Sequence, residues 1–430
     1  MGNQRYKKST QFLARAEKSI PLGSQTFSKS RTQYPVGVSP LFIDRGQGTY
    51  VWDSDGNKYT DLVNGLASVT IGYSHKKIDD AVRKQMTKGT IFSLPGKLEA
   101  EVAELVIQTV PSAEMVRFGK NGGDATTAAI RLSRAYTQRD HIAFCGYHSW
   151  QDWYIGATSM NKGVPSKVSN LTHAFKYNDL KSLESIFSKY PKKIAAVILE
   201  PMSGEYPKDN FLQKVKKLVH KNGSVLIFDE VVTGYRFSIG GAQSEFNITP
   251  DLTTLGKGIA NGYPLSVLAG RAEIMKELEN VFFSGTFGGE LLSLAAAKTV
   301  INMHLESNIP KKISKVGLDM ALGIEKIIRT HKMNDILRIS GHPTWKFLNW
   351  TGTSEYSSSI LKTYFMQEMF KRGILVLSTH NNSLSLTQEI AHKVVGAYDE
   401  VISQLKKDLE NSYVLKRLKV NPISPLFNVR

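Results

Sequence analysis

The sequence predicts an α/β fold: a large domain built on a mainly parallel sheet covered by helices, joined to a smaller α+β domain. Three observations predict it. Between about residues 115 and 270, short apolar runs alternate with amphipathic stretches, the runs being Met115–Phe118, Ile142–Phe144, Ile194–Leu199, Val225–Phe228 and Leu265–Ala269. Strands that are apolar throughout, separated by helical patterns, belong to a sheet buried on both faces. The 430 residues supply enough chain for two or three domains. After about residue 310 the helical periodicity resumes around a second, smaller set of strands that includes Gly373–Leu377.

Taken in order, Thr49–Asp53 and Lys58–Leu62 flank Ser54-Asp55-Gly56-Asn57, whose Asp-Gly pair signals a hairpin turn and predicts an N-terminal β-hairpin lid. Residues 1–80 then form an N-terminal segment of the small domain, 81–310 the large α/β domain, and 311–430 the C-terminal α+β part. No internal repeat and no Pro/Gly/Ser-rich linker separates them, so the domains interleave by packing. In an open α/β sheet ligands collect at the carboxyl ends of the strands. Three apolar runs end in chemically capable residues: Glu200, Asp229-Glu230, and Gly256-Lys257-Gly258.

Composition narrows the classes. Hydrophobic residues are 41% and charged residues 22%, as in ordinary soluble proteins. No apolar run approaches the ~18 residues that span a bilayer, and Met1–Thr10 is polar and basic with no apolar run after it. A cytoplasmic protein without a membrane partner is expected. Lys plus Arg number 55 against 38 Asp plus Glu, a net +17. The lysines fall in short groups such as Lys192-Lys193 and Lys214 with Lys216-Lys217, a pattern of solvated helix faces, so no nucleic-acid partner is expected. Cys145 is the sole cysteine, which excludes an internal disulfide and a cysteine-pair zinc site; within His141–Gly146 it reads as a small apolar strand residue.

The chemistry concentrates on two residues. Lys257 stands between two glycines at the end of a strand-like run, where small neighbours leave room for a large partner. An ε-amine whose pKa is lowered by desolvation attacks carbonyls and forms a Schiff base. Alone, Gly-Lys-Gly also suits a solvated loop. Asp229 ends the buried strand Ser224–Asp229, and a carboxylate there is costly to ionise unless it faces a cation such as a protonated pyridine nitrogen. Lysine for an aldehyde and aspartate for a ring nitrogen, both at strand ends, is the arrangement that pyridoxal 5'-phosphate needs. Gly122 and Gly123, in Phe118–Asp124 before a helix with Ala125, Ala128, Ala129 and Leu132 on one face, would bring backbone amides to a phosphate. Asp124 reads as a helix N-terminal residue. Tyr147 and His148 follow the next strand and would stack on a flat cofactor or fill the core.

These residues resemble the class III aminotransferases, fold-type I pyridoxal-phosphate enzymes with a seven-stranded large-domain sheet, and among them the glutamate-1-semialdehyde aminomutase-like branch. The likeness covers about residues 20 to 400. It is most specific from Ile227-Phe-Asp-Glu-Val-Val-Thr-Gly-Tyr-Arg-Phe237 through Gly240-Gly-Ala-Gln243 to Pro250–Lys257, with support from Asp53–Asn57, Ala129–Arg134, Gly146-Tyr-His148, Glu200-Pro201 and Ser284–Phe287. The resemblance implies that Lys257 holds the cofactor as a Schiff base and shuttles a proton, and that Asp229 pairs with the pyridinium. By the same likeness Tyr147 and Val231 cover the two ring faces and Gly122 and Gly123 hold the phosphate. Thr286 would reach the phosphate from a neighbouring subunit, implying a homodimer.

Departures fall on the substrate side. Asn121-Gly-Gly-Asp124 replaces the family's Ser-Gly-Thr-Glu turn, Lys29 stands where the aminomutases use an arginine, and Glu205 replaces the Asn after Glu-Pro-x-x-Gly. Gly288-Gly-Glu290 replaces Gly-Asn-Pro, and Thr379-His-Asn-Asn-Ser383 stands in the segment of the gating glutamate. Lys29, Glu205, Arg236 and His380 are the candidate substrate contacts. The expected activity is transfer of an amino group from an amino-acid donor to a keto or aldehyde acceptor. Glutamate-1-semialdehyde 2,1-aminomutase activity is the second reading, and a non-catalytic basic binding protein on the same fold is the third.

Overall fold

The computed structural model describes residues 4–423. Its strands, in chain order, are β1 (Ile43–Gln47), β2 (Tyr50–Asp53), β3 (Lys58–Asp61), β4 (Met115–Gly119), β5 (His141–Cys145), β6 (Thr172–Ala174), β7 (Ile194–Leu199), β8 (Val225–Glu230), β9 (Leu252–Leu255), β10 (Ser266–Gly270), β11 (Leu337–His342), β12 (Trp345–Trp350), β13 (Ile374–Leu375) and β14 (Thr379–Asn381). The chain divides into two compact units, one containing Lys76–Lys311 and the other the segments before and after it.

The Lys76–Lys311 unit holds the seven-stranded sheet, in the order β4-β10-β9-β8-β7-β5-β6. The sheet is mainly parallel, as the sequence predicts. The run at Leu265–Ala269 supplies the exception, because β10 lies antiparallel to both β4 and β9. The short, half-polar edge strand β6 is absent from the sequence reading: Thr172-His-Ala174 has no apolar run to mark it, and only pairing with β5 makes it a strand. Every residue of β7 and β8 is buried, the consequence of helices on both faces.

Alternation along the strands divides the core. Ala196, Ile198 and Ile227 face one layer, where the helix Gly122–Thr137 packs Ala125, Ala128, Ala129 and Leu132 against them. Val197, Leu199, Leu226 and Phe228 face the other, against Leu183, Ile186 and Phe187 of Leu180–Lys189 and Leu212, Val215 and Val219 of Phe211–Lys221. Each such leucine, isoleucine or phenylalanine contributes roughly 1.5–3 kcal/mol by leaving water, so the strand ends that carry the polar residues are held on a rigid base.

In the other unit the order β1-β2-β3-β13 forms one sheet and β11-β12-β14 a second. The β2–β3 hairpin forms over the expected turn. Asp53 Oδ1 accepts from the amides of Asp55 (3.1 Å) and Asn57 (2.7 Å), and Tyr59 donates to its Oδ2 (2.9 Å). The hairpin is an interior part of its sheet and not a lid, since β1 pairs with β2 on one side and β13 runs parallel to β3 on the other. Leu361, Phe365, Met369, Val394, Tyr398, Val401 and Leu405, at helical spacing on Ser358–Lys371 and Gln388–Glu410, fill the core beneath.

Candidate active site

At the carboxyl edge of the large sheet, neighbouring strands bring together the residues that end the apolar runs. Cys145 of β5 is opposite Leu199 of β7, and Leu199 opposite Phe228 of β8, so Gly146, Glu200 and Asp229 follow side by side. Asp229 is in turn opposite Thr254 of β9, three residues before Lys257.

Asp229 is 5% exposed. Its carboxylate is held by three donors: His148 Nδ1 to Oδ2 (2.7 Å), the Val231 amide to Oδ1 (3.1 Å) and Thr254 Oγ1 to Oδ1 (3.2 Å). Adjacent Glu230 points to the opposite face of the strand, where it accepts from Thr233 Oγ1 (2.8 Å) and from the Gln243 amide and side chain (both 3.0 Å). Strand alternation thus sorts the Asp-Glu pair into a residue at the site and a structural anchor for Ala242–Glu245.

Glu200 accepts from the Tyr147 amide at Oε2 (3.1 Å). A Cβ on Gly146 would lie 2.5 Å from that oxygen, and the glycine sits at φ +108°, so only glycine admits the carboxylate here. Burial, reinforced by the charge of Asp229, raises the Glu200 pKa to about 7. Lys257 opens the single 3-10 turn Lys257–Ala260 in the left-handed region, φ +42°. Burial lowers its pKa, against the opposing pull of Glu200 and Asp229 and with added repulsion from Arg236. A lysine so placed yields free amine more readily than a solvated one.

Val231 ties the turns together: a Cβ on Gly122 would stand 2.8 Å from one of its methyls, and one on Gly256 3.2 Å away. Gly122 and Gly123 open the helix Gly122–Thr137, whose first amides have no carbonyl partner within the helix. Asp124 behaves as a helix N-terminal residue, its Oδ2 accepting from the amides of Lys120 (3.0 Å) and Asn121 (2.7 Å). Tyr147 is 51% exposed and meets Tyr154 edge-on at 5.7 Å. Thr286, on an exposed loop, lines a cavity of about 440 Å³ together with Gly123, Asp124 and Gln151 of its own chain.

Other candidates are placed differently from the sequence reading. His148 is buried beside Asp229 and does not stack on open space; its Nε2 faces the Cys145 carbonyl at 3.2 Å. Arg236, a candidate substrate contact, is 1% exposed, and burial brings its pKa down to about 10. His380, also a candidate contact, lies in the core of the other unit, where Nε2 meets the Tyr398 hydroxyl at 2.7 Å and burial pushes its pKa down to about 3. Lys29 ends the exposed turn Phe27–Lys29 of that unit. Glu205 is exposed and pairs with Lys208 (3.2 Å), which explains its charge without a ligand. Burial pushes the Cys145 thiol up to about 12, the behaviour of an inert strand residue.

Sequence reasoning noted Glu200 as a strand end without giving it a role, and it missed Thr254. The doublet Thr253-Thr254 in a wholly buried strand was the available signal, because buried hydroxyls need partners: Thr253 finds Ser112 Oγ (2.7 Å) and Thr254 finds Asp229.

Among the described residues no helix is long and apolar enough to cross a membrane. The model of the aminotransferase class-III family matches residues 33–404. Glutamate-1-semialdehyde 2,1-aminomutase of Alkaliphilus metalliredigens (strain QYMF) is 32% identical, over 97% of this chain and 98% of its own. The protein of the same name from Alkaliphilus oremlandii (strain OhILAs) is 34% identical, over 93% and 100%. Among solved structures, FumI of Sphingopyxis sp. MTA144 superposes with a TM-score of 0.87 at 24% identity, over 97% of this chain and 99% of its own. An omega-transaminase from Sphaerobacter thermophilus does so with 0.83 at 25%, over 93% and 98%. The chain belongs to the class III aminotransferases.

Proposed function

We propose that the chain transfers an amino group from an amino-acid donor to a keto or aldehyde acceptor, with Lys257 and Asp229 as its central residues. It is an enzyme of pyridoxal-phosphate-dependent amino transfer. The side chains suit that cofactor: a buried carboxylate for a ring cation, an amine with lowered pKa one strand away, and a glycine turn at a helix start that a Cβ would fill. When bound, pyridoxal phosphate supplies an aldehyde to capture amines and a ring that takes up negative charge from the substrate α-carbon.

The observation that carries the reading is the ladder placing Asp229 beside Thr254 and, three residues on, Lys257. Lys257 would hold the cofactor and, as a free amine, would carry the proton between the substrate α-carbon and the cofactor. Asp229, kept in place by His148, Val231 and Thr254, fixes the cation and orients the ring. Tyr147 and Val231 cover its two faces. Gly122 and Gly123 direct amides at the phosphate. Thr286 completes the phosphate site across a homodimer, and the enzyme works in the cytoplasm. The Lys76–Lys311 unit is the cofactor domain, with the flanking segments as the smaller domain. Lys29 and Glu205 are the exposed candidates for substrate contact.

The test is the absorption spectrum of the purified protein with added pyridoxal phosphate, before and after glutamate. A visible band that glutamate bleaches and that Lys257→Ala removes is expected, with transfer falling by about 10³-fold or more in the variant. No band in the wild type overturns the reading.

Glutamate-1-semialdehyde 2,1-aminomutase activity is the second reading, favoured by the names of two relatives at 32% and 34% identity. Lys29 in place of an arginine and the burial of His380 in the substituted Thr379–Ser383 segment stand against it. Conversion of glutamate-1-semialdehyde without exchange between separate donor and acceptor would establish it. Family membership sets aside the non-catalytic reading.

A further inference from the structure

The turn at Gly122-Gly123 has no side chain of its own to offer a ligand, yet the space beside Gly123 is filled. A Cβ at position 123 would lie 2.3 Å from Gln151 Nε2, 2.5 Å from Gln151 Oε1 and 2.5 Å from Ser149 Oγ. These two side-chain ends stand where a larger residue 123 would put its own, so glycine at 123 and the pair at 149 and 151 occupy the space in alternation.

Several features hold them there. Thr126 Oγ1, on the fifth residue of the helix, donates to the His148 carbonyl (3.3 Å), and Trp153 Nε1 donates to Thr127 Oγ1 (3.0 Å), so the segment 148–153 is clasped to the N-terminal part of the helix at both ends. Ser149 adopts φ +87°, a conformation that disfavours residues with a Cβ and that persists only where surroundings impose it. Gln151 Oε1 is buried without a hydrogen-bond partner among the described residues. No bond fixes which way the amide is turned, leaving its NH2 free to rotate toward an acceptor. Gln151 and Gly123 line the same cavity, at the positive end of a 16-residue helix.

We infer that Ser149 and Gln151 are phosphate-binding residues: the Ser149 hydroxyl and the Gln151 amide donate to the same dianion as the Gly122 and Gly123 amides and, across the proposed homodimer, Thr286. The inference rests on the pyridoxal-phosphate reading of the site and deepens it. It makes positions 123, 149 and 151 one unit, in which hydrogen-bond donors have moved from the glycine turn to the loop after β5.

The experiment compares equilibrium affinities of the cofactor-free protein for pyridoxal phosphate and for pyridoxal, which lacks the phosphate, read from the Lys257-dependent absorption band. In the double variant Ser149→Ala with Gln151→Ala, affinity for pyridoxal phosphate is expected to fall about tenfold or more, the scale of hydrogen bonds to a charged group, while affinity for pyridoxal stays within about twofold. Adding Gly123→Ser to that double variant, where the space is now vacant, restores part of the loss; the same change in the wild type weakens binding. Gln151→Glu, of equal size, gives the same phosphate-specific loss should the double variant fail to fold. Equal losses for both ligands, or no loss for either, overturn the inference while the reading of the site stands. A wild-type protein that takes up neither ligand removes the reading and the inference together.

Discussion

Two regions of the molecule bury ionisable groups, and they do so differently. In the core of the small unit three buried groups each have a neighbour that satisfies them. His380 meets Tyr398, Tyr364 donates to Asp408 Oδ2 (2.6 Å), and Lys346 donates to the Gly341 carbonyl (2.8 Å). At the carboxyl edge of the large sheet, Glu200 and Lys257 influence each other and Asp229 through charge, and among the described residues Lys257 makes no ion pair with either carboxylate. Burial with a partner yields structure. At the sheet edge burial leaves an amine without an ion pair beside an acid that accepts from the Tyr147 amide, both with displaced pKa values, which is the condition for proton transfer at neutral pH.

The comparison is most sharply tested by Asp229→Asn. Removing the charge while keeping the shape should slow the donor half-reaction by about 10²-fold or more, measured by stopped-flow absorption, with far less effect on the midpoint of denaturant unfolding. An unchanged rate would place Asp229 with the structural group. Tyr398→Phe is the counterpart. Leaving His380 Nε2 unsatisfied should cost about 1–3 kcal/mol of stability by urea unfolding, with the half-reaction rate of the folded protein unaltered; a changed rate would make the small-unit cluster part of the chemistry.

The third prediction concerns Glu200, and its sign follows from linkage. A carboxyl whose pKa rises from 4.5 to about 7 on folding binds more protons in the native state between those values, so its contribution to stability is present below pH 4.5 and lost as pH rises through 7. In the cofactor-free protein, Glu200→Gln should therefore flatten the decline in stability from pH 4.5 to 8 and unfold at higher denaturant than wild type at pH 8. Parallel curves for the two proteins would show that Glu200 does not carry the proton.

The apolar runs of β7 and β8 were legible because strands covered on both faces cannot carry polar residues, and the first residues able to do chemistry then mark the strand ends. Asp229 and Lys257 stand out for that reason, as do Gly122 and Gly123 before a helix with an alanine face. His148 was legible only as an aromatic near the site. Whether its ring faces the ligand or Asp229 depends on the β5–β8 arrangement across β7, which local sequence does not encode. Arg236 and His380 were legible as cations and nothing more, since burial is a property of what packs against a residue.

By itself, then, the sequence determined the fold class, the two turns and the residue types at the carboxyl edge, because periodicity and glycine placement are local constraints on the backbone. The tertiary structure alone decided which charged groups meet. It separated Asp229 from Glu230, set Glu200 against Gly146, and brought Ser149 and Gln151 into the space beside Gly123. Those choices arise from strand register and close packing between segments distant in the chain, where a contact of a few ångströms fixes a pKa or a hydrogen bond that no spacing along the sequence can specify.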